Sequence, residues 1–229
     1  MKAVVLASGG LDSTVTAAVA KQEGCALYLL TVAYGQRHGI EVQCAADVAK
    51  ALDAADHRIV QVDLRAIGGS ALTGDLDVPK DRSAFQREEG IPVTYVPARN
   101  TIFLSLALAY AESVGAPRIY LGANIVDYSG YPDCRPEYLA AFEQAARLGT
   151  RAGVSGHGVV ICAPLLHLSK AEIIRLGASL GVPFKLTHSC YDPIEQAACG
   201  RCDSCRIRRE GFQAAGMTDP VAYAGAQVS

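Results

Sequence analysis

The first junction between a strand and a helix in this chain carries groups that bind phosphate. Residues 2–7 read as a short apolar strand, Ser8-Gly9-Gly10-Leu11-Asp12-Ser13 follows, and residues 14–21 have helical composition. Two adjacent glycines bring backbone N–H groups close to an anion, and the open N–H groups of the helix add partial positive charge. The turn therefore predicts a cradle for phosphate or pyrophosphate, with two serine hydroxyls as donors and Asp12 on Mg²⁺ or the helix amides. The alternative is an ordinary glycine turn.

Four cysteines near the C-terminus have metal-ligand spacing. They form a C-x8-C-x2-C-x2-C pattern: Cys190, Cys199, Cys202 and Cys205. Four thiolates close a tetrahedral shell around Zn²⁺ and leave no position for water, so we predict a structural zinc site. The ligand count also suits a four-iron cluster, and the spacing suits a disulfide pair, which a reducing cytosol disfavours. His188 lies nearby but has no ligand role once four cysteines bind.

A second polar segment surrounds Pro132. The Asp133 carboxylate can accept the paired N–H groups of a guanine-like ring edge, and Arg135 can hold a carboxylate through two bonds. The alternative for both is a mutual or surface ion pair. Cys134, between them, is either a low-pKa nucleophile or a packed thiol. The other cysteines are predicted to be small core residues: Cys25, Cys44 and Cys162.

Three further polar residues lie at predicted strand-to-helix junctions: Arg99, Asn100 and Lys170. In an open parallel sheet the carboxyl ends of the strands meet at the ligand-binding edge. The two cations at these junctions are therefore candidates for neutralising the phosphates of ATP.

Apolar runs and helical periodicity alternate along the chain and predict the elements that position these groups. Strands are predicted at residues 2–7, 25–33, 58–62, 118–122 and 159–163, with helices at 14–21, 40–52, 101–114, 136–148 and 169–181. This alternation predicts a doubly wound, Rossmann-like α/β fold with a parallel sheet. Ser169 and Glu172 predict a capping box for the last of these helices. Residues 64–90, rich in glycine and charge, are expected to form a mobile lid.

Two parts are expected in the chain. Residues 1–185 are predicted to form the ATP-binding α/β domain, and residues 186–229 a small zinc-binding helical module that packs on it. The net charge of −2 and the pI of about 6.2 argue against a nucleic-acid or membrane partner. No apolar run approaches the ~20 residues that span a bilayer, so a cytoplasmic protein is expected.

Six motifs follow one another in a characteristic order. They are the glycine turn, Tyr34-Gly35-Gln36-Arg37-His38, Val96-Pro97-Ala98-Arg99-Asn100, Tyr128-Ser129-Gly130-Tyr131-Pro132-Asp133-Cys134-Arg135, Ser169-Lys170-Ala171-Glu172 and the four cysteines. The turn alone resembles the SGGxDS signature of the PP-loop ATP pyrophosphatases, of the adenine nucleotide alpha hydrolase type. The whole set, over residues 2–216, resembles the QueC family of 7-cyano-7-deazaguanine synthases. One departure is Ala98, where glycine is expected.

The resemblance implies an ATP-dependent ligase that converts 7-carboxy-7-deazaguanine and ammonia to the 7-nitrile in queuosine biosynthesis, through an adenylated acid and an adenylated amide. It implies ATP, Mg²⁺ and Zn²⁺ as cofactors and a homodimer. The implied catalytic residues are Ser8, Asp12, Ser13 and Lys170. Those for ATP are Leu6, Ala7, Ser8, Gly9, Gly10, Leu11, Asp12, Ser13 and Arg99. Those for the deazaguanine are Tyr131, Asp133 and Arg135.

Two other readings stay open at this point. One is a different PP-loop enzyme, such as a tRNA thiolase or an amidating ligase, although the chain lacks a basic balance for tRNA. The other is a non-enzymatic nucleic-acid binder that uses the cysteines as a zinc ribbon. It leaves the glycine turn and its helix unexplained.

Overall fold

The structure is a computed structural model that describes residues 1–36, 38–88, 90–126 and 130–225 of the chain. Arg37, Tyr128 and Ser129 of the sequence motifs lie outside the described residues. Within the described residues, parallel strands form one sheet in the order β3-β2-β1-β4-β5. The strands are β1 (Lys2–Leu6), β2 (Ala26–Ala33), β3 (Asp56–Gln61), β4 (Arg118–Tyr120) and β5 (Val160–Cys162).

Helices connect the strands and cover both faces of the sheet. They are α1 (Leu11–Gln22), α2 (Ile40–Ala51), α3 (Ala84–Glu88), α4 (Arg99–Val114), α5 (Pro136–Gly149), α6 (Arg151–Val154), α7 (Lys170–Ser179) and α8 (Asp203–Ala215). This order of strands and helices is the doubly wound α/β fold that the sequence predicts. The five predicted strands and the capping box of α7 are confirmed.

The alternation of side chains along β1 and β2 divides the core between the two faces. Val4 and Leu30 face α4, whereas Val5 and Leu29 face α1 and α2. Because these strands are buried on both faces, they are apolar apart from Lys2 and Thr31, as expected of a parallel sheet. A third apolar cluster joins α1, α7 and α8. The fold thereby fixes the starts of α1, α4 and α7 around one edge of the sheet.

The loop after β3 is joined to the C-terminal segment. The Asp81 N–H donates to the Arg201 carbonyl at 2.9 Å, and Lys80 forms an isolated antiparallel bridge with Cys202. Four ion pairs among the described residues add to this connection: Lys80–Asp192, Asp81–Arg201, Arg82–Asp203 and Arg87–Glu210. The contacts tether residues 80–87, and whether the rest of the loop moves as a lid stays a prediction. No helix within the described ranges is long and apolar enough to cross a membrane.

Candidate active site

The carboxyl ends of β1, β2 and β4 open into one cavity. On its turn side the lining comes from the glycine turn and Lys170. On its aromatic side, at the start of α4, the lining residues are Tyr34, Arg99, Phe103, Tyr131 and Tyr191. This is the edge at which open parallel sheets bind their ligands. The structure therefore brings Tyr131 and the predicted phosphate-binding residues, apart from Gly9, to one cavity.

Gly9 allows the glycine turn to lie directly on α2. Its φ of +79° falls in the left-handed region, and a methyl group there would lie 2.3 Å from the Glu41 carbonyl oxygen and 2.7 Å from Ala45 N. No side chain fits such a gap, so the turn requires glycine for both conformation and space. Gly9 itself packs against α2 and does not line the cavity.

Serine hydroxyl oxygens accept hydrogen bonds from three backbone N–H groups of the turn. The Ser8 N–H donates to Ser13 Oγ at 3.1 Å, the Gly10 N–H donates to Ser8 Oγ at 3.2 Å, and the Leu11 N–H donates to Ser189 Oγ at 3.2 Å. A hydroxyl can act as acceptor or donor. When phosphate binds, these N–H groups can therefore donate to its oxygens instead. The serine hydroxyls can also donate hydrogen bonds to the bound anion.

Asp12 and Lys170 form an ion pair in the wall of the cavity. Lys170 Nζ lies 2.6 Å and 2.8 Å from the two Asp12 carboxylate oxygens, and Lys170 is buried. The aliphatic part of the lysine crosses α8 at Gly211, where a methyl group would lie 2.3 Å from Lys170 Cγ. The pair thus depends on the packing of α1, α7 and α8, and it places a cation next to the first turn of α1.

The aromatic side surrounds a guanidinium. Arg99 Cζ lies 5.9 Å from the centre of the Tyr34 ring and 6.0 Å from that of Phe103. Burial raises the pKa of Tyr34 to about 12, so its phenol is neutral at physiological pH. Glu41, in the first turn of α2, also lines the cavity, and burial raises the pKa of its carboxyl to about 7 although the charge of Arg99 acts against the shift.

Asp133 and Arg135 do not line the cavity. Asp133 is buried and accepts from Asn100 N at 3.0 Å and from Asn100 Nδ2 at 3.4 Å. It provides an acceptor for the start of α4 where Ala98, the N-cap residue with φ +53°, makes no side-chain cap. Arg135 is exposed. Their contacts with the deazaguanine stay predictions.

Cys134 is a packed thiol in this structure. It is 5% exposed, and Asn100 Nδ2 lies 3.2 Å from its Sγ. Burial raises the pKa of the thiol to about 11. This argues against Cys134 as a low-pKa nucleophile, one of the two alternatives that the sequence left open.

The four predicted metal-binding cysteines converge. All four are buried, and their sulfur atoms lie within 4.8 Å of one another. The Cys190–Cys202 and Cys199–Cys205 sulfur pairs are each 3.9 Å apart. Four sulfurs at ~2.3 Å from one tetrahedral ion would be about 3.8 Å apart, so the residues fit a single metal ion. A four-iron cluster takes one cysteine at each of its irons and needs the sulfurs farther apart.

The residues on either side of Cys190 also form part of the cavity wall. His188, Ser189 and Tyr191 line the cavity beside Cys190. The His188 N–H donates to the Gly9 carbonyl at 2.9 Å, and Ser189 Oγ accepts from Leu11 N. The C-terminal segment therefore holds the glycine turn through two hydrogen bonds.

Sequence reasoning missed several lining residues, among them Glu41, Ser189, Tyr191 and Arg208. The signal for Glu41 was its place just after the carboxyl end of β2. Ser189 and Tyr191 flank Cys190, and the metal-ligand pattern drew attention to the cysteines alone. Arg208 is buried on α8 and pairs with Asp219 at 2.8 Å, a contact that no local motif indicates.

A doubly wound parallel sheet whose first strand leads into an SGGxDS turn at Ser8–Ser13, without the lysine of a Walker loop, is typical of the PP-loop class of ATP-using α/β proteins. Within that class the chain belongs to the QueC family, because the family described as "Queuosine biosynthesis protein QueC" matches residues 2–216.

Curated relatives agree with this family. A protein of Anaeromyxobacter dehalogenans called 7-cyano-7-deazaguanine synthase is 60% identical over 97% of this chain and 96% of its own length. One of Myxococcus xanthus with the same name is 58% identical over 97% of each chain. Among solved structures, NMN synthetase from Francisella tularensis has a TM-score of 0.50 at 16% identity, covering 95% of this chain and 78% of its own. That last similarity concerns the fold alone.

Proposed function

We propose that this protein is a 7-cyano-7-deazaguanine synthase, which uses ATP to convert 7-carboxy-7-deazaguanine and ammonia to the nitrile. The observation that carries the proposal is the 60% identity to a protein of that name over nearly the full length of both chains. The glycine turn, its two serines and the Asp12–Lys170 pair supply the groups that adenylation needs.

The reaction has two activation steps with the same chemistry. In the first, a substrate carboxylate oxygen attacks the α-phosphorus of ATP, pyrophosphate leaves, and ammonia then displaces AMP to give the amide. In the second, the amide oxygen attacks another ATP, and loss of AMP and the nitrogen-bound protons gives the nitrile. Both steps expel pyrophosphate, so one pyrophosphate-binding turn serves both.

The residues of the turn side hold the departing pyrophosphate. The hydroxyls of Ser8 and Ser13 and the amides at the start of α1 donate to its oxygens, and Lys170 offsets the charge that builds up on them. Leu6, the last residue of β1, and Ala7 after it form the adjoining wall for the nucleotide. Asp12 is the carboxylate that would contact Mg²⁺, whose charge lessens the repulsion between ATP and an anionic substrate.

Zn²⁺ is the proposed ion at Cys190, Cys199, Cys202 and Cys205. Four thiolates saturate its tetrahedral shell, so it would act in folding and not in catalysis. Ammonia as nitrogen donor, a homodimeric state and a cytoplasmic location complete the proposal. Nothing in the described part of the chain favours the tRNA thiolase or the zinc-ribbon alternative.

Mass spectrometry of the product tests the proposal. Purified protein is incubated with 7-carboxy-7-deazaguanine, ammonium and Mg-ATP while AMP is followed. We expect the nitrile, with AMP released in both activation steps. Release of AMP only with another acceptor would keep the ATP-using class and reject this substrate. No ATP cleavage with any acceptor would favour the zinc-ribbon alternative.

A further inference from the structure

The aromatic side of the cavity has the composition of a site for a flat, anionic ring. Tyr34 and Phe103 lie with ring centres 5.5 Å apart, and Tyr131 and Tyr191 line the same side. Aromatic side chains stack on the faces of heterocyclic bases, and Arg99 among them can bind a carboxylate through two parallel hydrogen bonds. The turn side has no comparable aromatic surface among the described lining residues.

The aromatic side also contains a carboxylate that the sequence did not single out. Glu41 is half-buried and lines the cavity next to Arg99. Burial raises the pKa of the Glu41 carboxyl and the charge of Arg99 lowers it, and no hydrogen bond from the described residues affects it. A carboxylate held in this way gains strongly from two N–H donors on a ligand.

Asp133, the carboxylate that the sequence favoured for reading the base, is otherwise engaged. Both of its oxygens accept hydrogen bonds from Asn100, and it lies outside the cavity. A guanine-like ring still requires an acceptor for its N1–H and 2-amino groups, because a buried donor without a partner is costly. Glu41 is the described carboxylate beside the aromatic residues that can meet this need.

The polar edge of 7-carboxy-7-deazaguanine matches the two charges. Its 2-amino and N1–H donors come first around the ring, followed by the O6 and 7-carboxylate acceptors on the adjoining side. We propose that Glu41 accepts hydrogen bonds from the N1–H and 2-amino groups while Arg99 donates to the 7-carboxylate, with the ring stacked among Tyr34, Phe103, Tyr131 and Tyr191. This inference rests on the proposed function, and it moves Arg99 from ATP to the base.

Binding of a substrate analogue without the 2-amino group tests the role of Glu41. Wild-type protein and Glu41→Gln are titrated calorimetrically with 7-carboxy-7-deazaguanine and with 7-carboxy-7-deazahypoxanthine, with a non-hydrolysable ATP analogue present. Wild type should bind the analogue about 10- to 100-fold more weakly, and Glu41→Gln should lose most of that discrimination. Glu137→Gln is the matched control, because Glu137 is also acidic in the first turn of a helix but is exposed. It should behave as wild type.

A second pair of titrations tests Arg99. Wild type should bind 7-carboxy-7-deazaguanine more tightly than 7-deazaguanine by about 10- to 100-fold, and Arg99→Gln should abolish the difference while affinity for the ATP analogue stays within a few-fold. A loss of affinity for the ATP analogue alone would return Arg99 to the nucleotide and overturn this half of the proposal.

The two levels of the proposal fail in different ways. If wild type neither binds nor converts 7-carboxy-7-deazaguanine, the proposed function and this inference are both wrong. If wild type converts it while Glu41→Gln retains full discrimination against the 2-deamino analogue, the inference alone is wrong. An effect of Glu41→Gln confined to the KM for ammonium would also overturn it, since it would assign the carboxylate to the nitrogen donor.

Discussion

At the scale of single residues, the Asp12–Lys170 pair places opposite charges beside the glycine turn. The lysine is buried and its Nζ lies within 2.8 Å of both carboxylate oxygens. Removing one partner of such a pair leaves the other charge without compensation. ATP phosphates arriving at the turn would then meet Asp12 without its cation.

Lys170→Ala should therefore lower ATP-dependent pyrophosphate release by about 100-fold or more, the usual effect of removing a group that stabilises developing charge. Lys185→Ala is the control, because Lys185 is exposed and lies outside the cavity. Steady-state kinetics with both variants would measure the difference. Full turnover by Lys170→Ala would reject its role in offsetting phosphate charge.

The proposed contact of Glu41 with the base predicts that the affinity for 7-carboxy-7-deazaguanine depends on pH. Its carboxyl has a pKa of about 7, and only the ionised form accepts two N–H bonds. Affinity for 7-carboxy-7-deazaguanine should be constant above this pKa and should fall about ten-fold per pH unit below it. The facing groups do not titrate there, since burial raises the pKa values of Tyr34 and Cys44, and Arg99 remains a cation.

Calorimetry between about pH 6 and 8.5, without ammonia, would measure this dependence apart from the titration of ammonium. Burial lowers the pKa of His188 to about 4, below this range. Glu41→Gln should give a flat profile. A wild-type profile that is equally flat would contradict the contact.

At the scale of elements, the glycine turn is held between α2 and the segment that precedes Cys190. Gly9 lies against the Glu41 carbonyl on one side, and its own carbonyl accepts from the His188 N–H on the other. The position of the turn therefore depends on two elements far apart in sequence. A change in its backbone cannot be absorbed locally.

Gly9→Ala and Gly24→Ala form a matched pair that tests this packing. Both glycines have a φ of +79°, but a methyl group at Gly24 has nothing within 4 Å. Gly24→Ala should cost about 1 kcal/mol of unfolding free energy through conformation alone. Gly9→Ala should cost several kcal/mol and weaken ATP binding, because α2 or the turn must move. Equal losses in denaturant unfolding would show that the close approach is unimportant.

The same elements show how far sequence reasoning extends. Apolar runs identified β1 to β5, and the Ser169–Glu172 pattern identified the start of α7, because these signals are local. The ion pairs Lys80–Asp192 and Arg87–Glu210 depend on tertiary contacts that no local pattern indicates. The sequence predicts a substrate contact for Asp133 because a carboxylate suits the edge of the base, and its burial against α4 becomes visible only once the chain is folded.

At the scale of the whole molecule, the segment around the four cysteines contacts regions that are distant in sequence. It contributes Ser189 and Tyr191 to the cavity, and its Asp192 and Arg201 form ion pairs with Lys80 and Asp81. The predicted division at residue 185 stays a prediction, and residues from both sides of it line the cavity. We therefore expect metal loss to affect more than local folding.

Cys202→Ser should lower the free energy of unfolding by several kcal/mol, because three ligands hold the metal less tightly and part of the metal-binding free energy is folding free energy. In hydrogen exchange at a temperature where the variant remains folded, the Leu11 amide should lose protection together with residues 80–87, since Ser189 Oγ accepts from Leu11 N. Cys25→Ser, at a buried cysteine outside the metal site, provides the comparison. It should lose stability without preferential exposure of Leu11.

If Cys202→Ser increases exchange only in residues 190–205 and keeps the protection of Leu11, the metal site stabilises its own segment and has no part in shaping the cavity. If it keeps its fold and its metal but loses activity, the site is not structural.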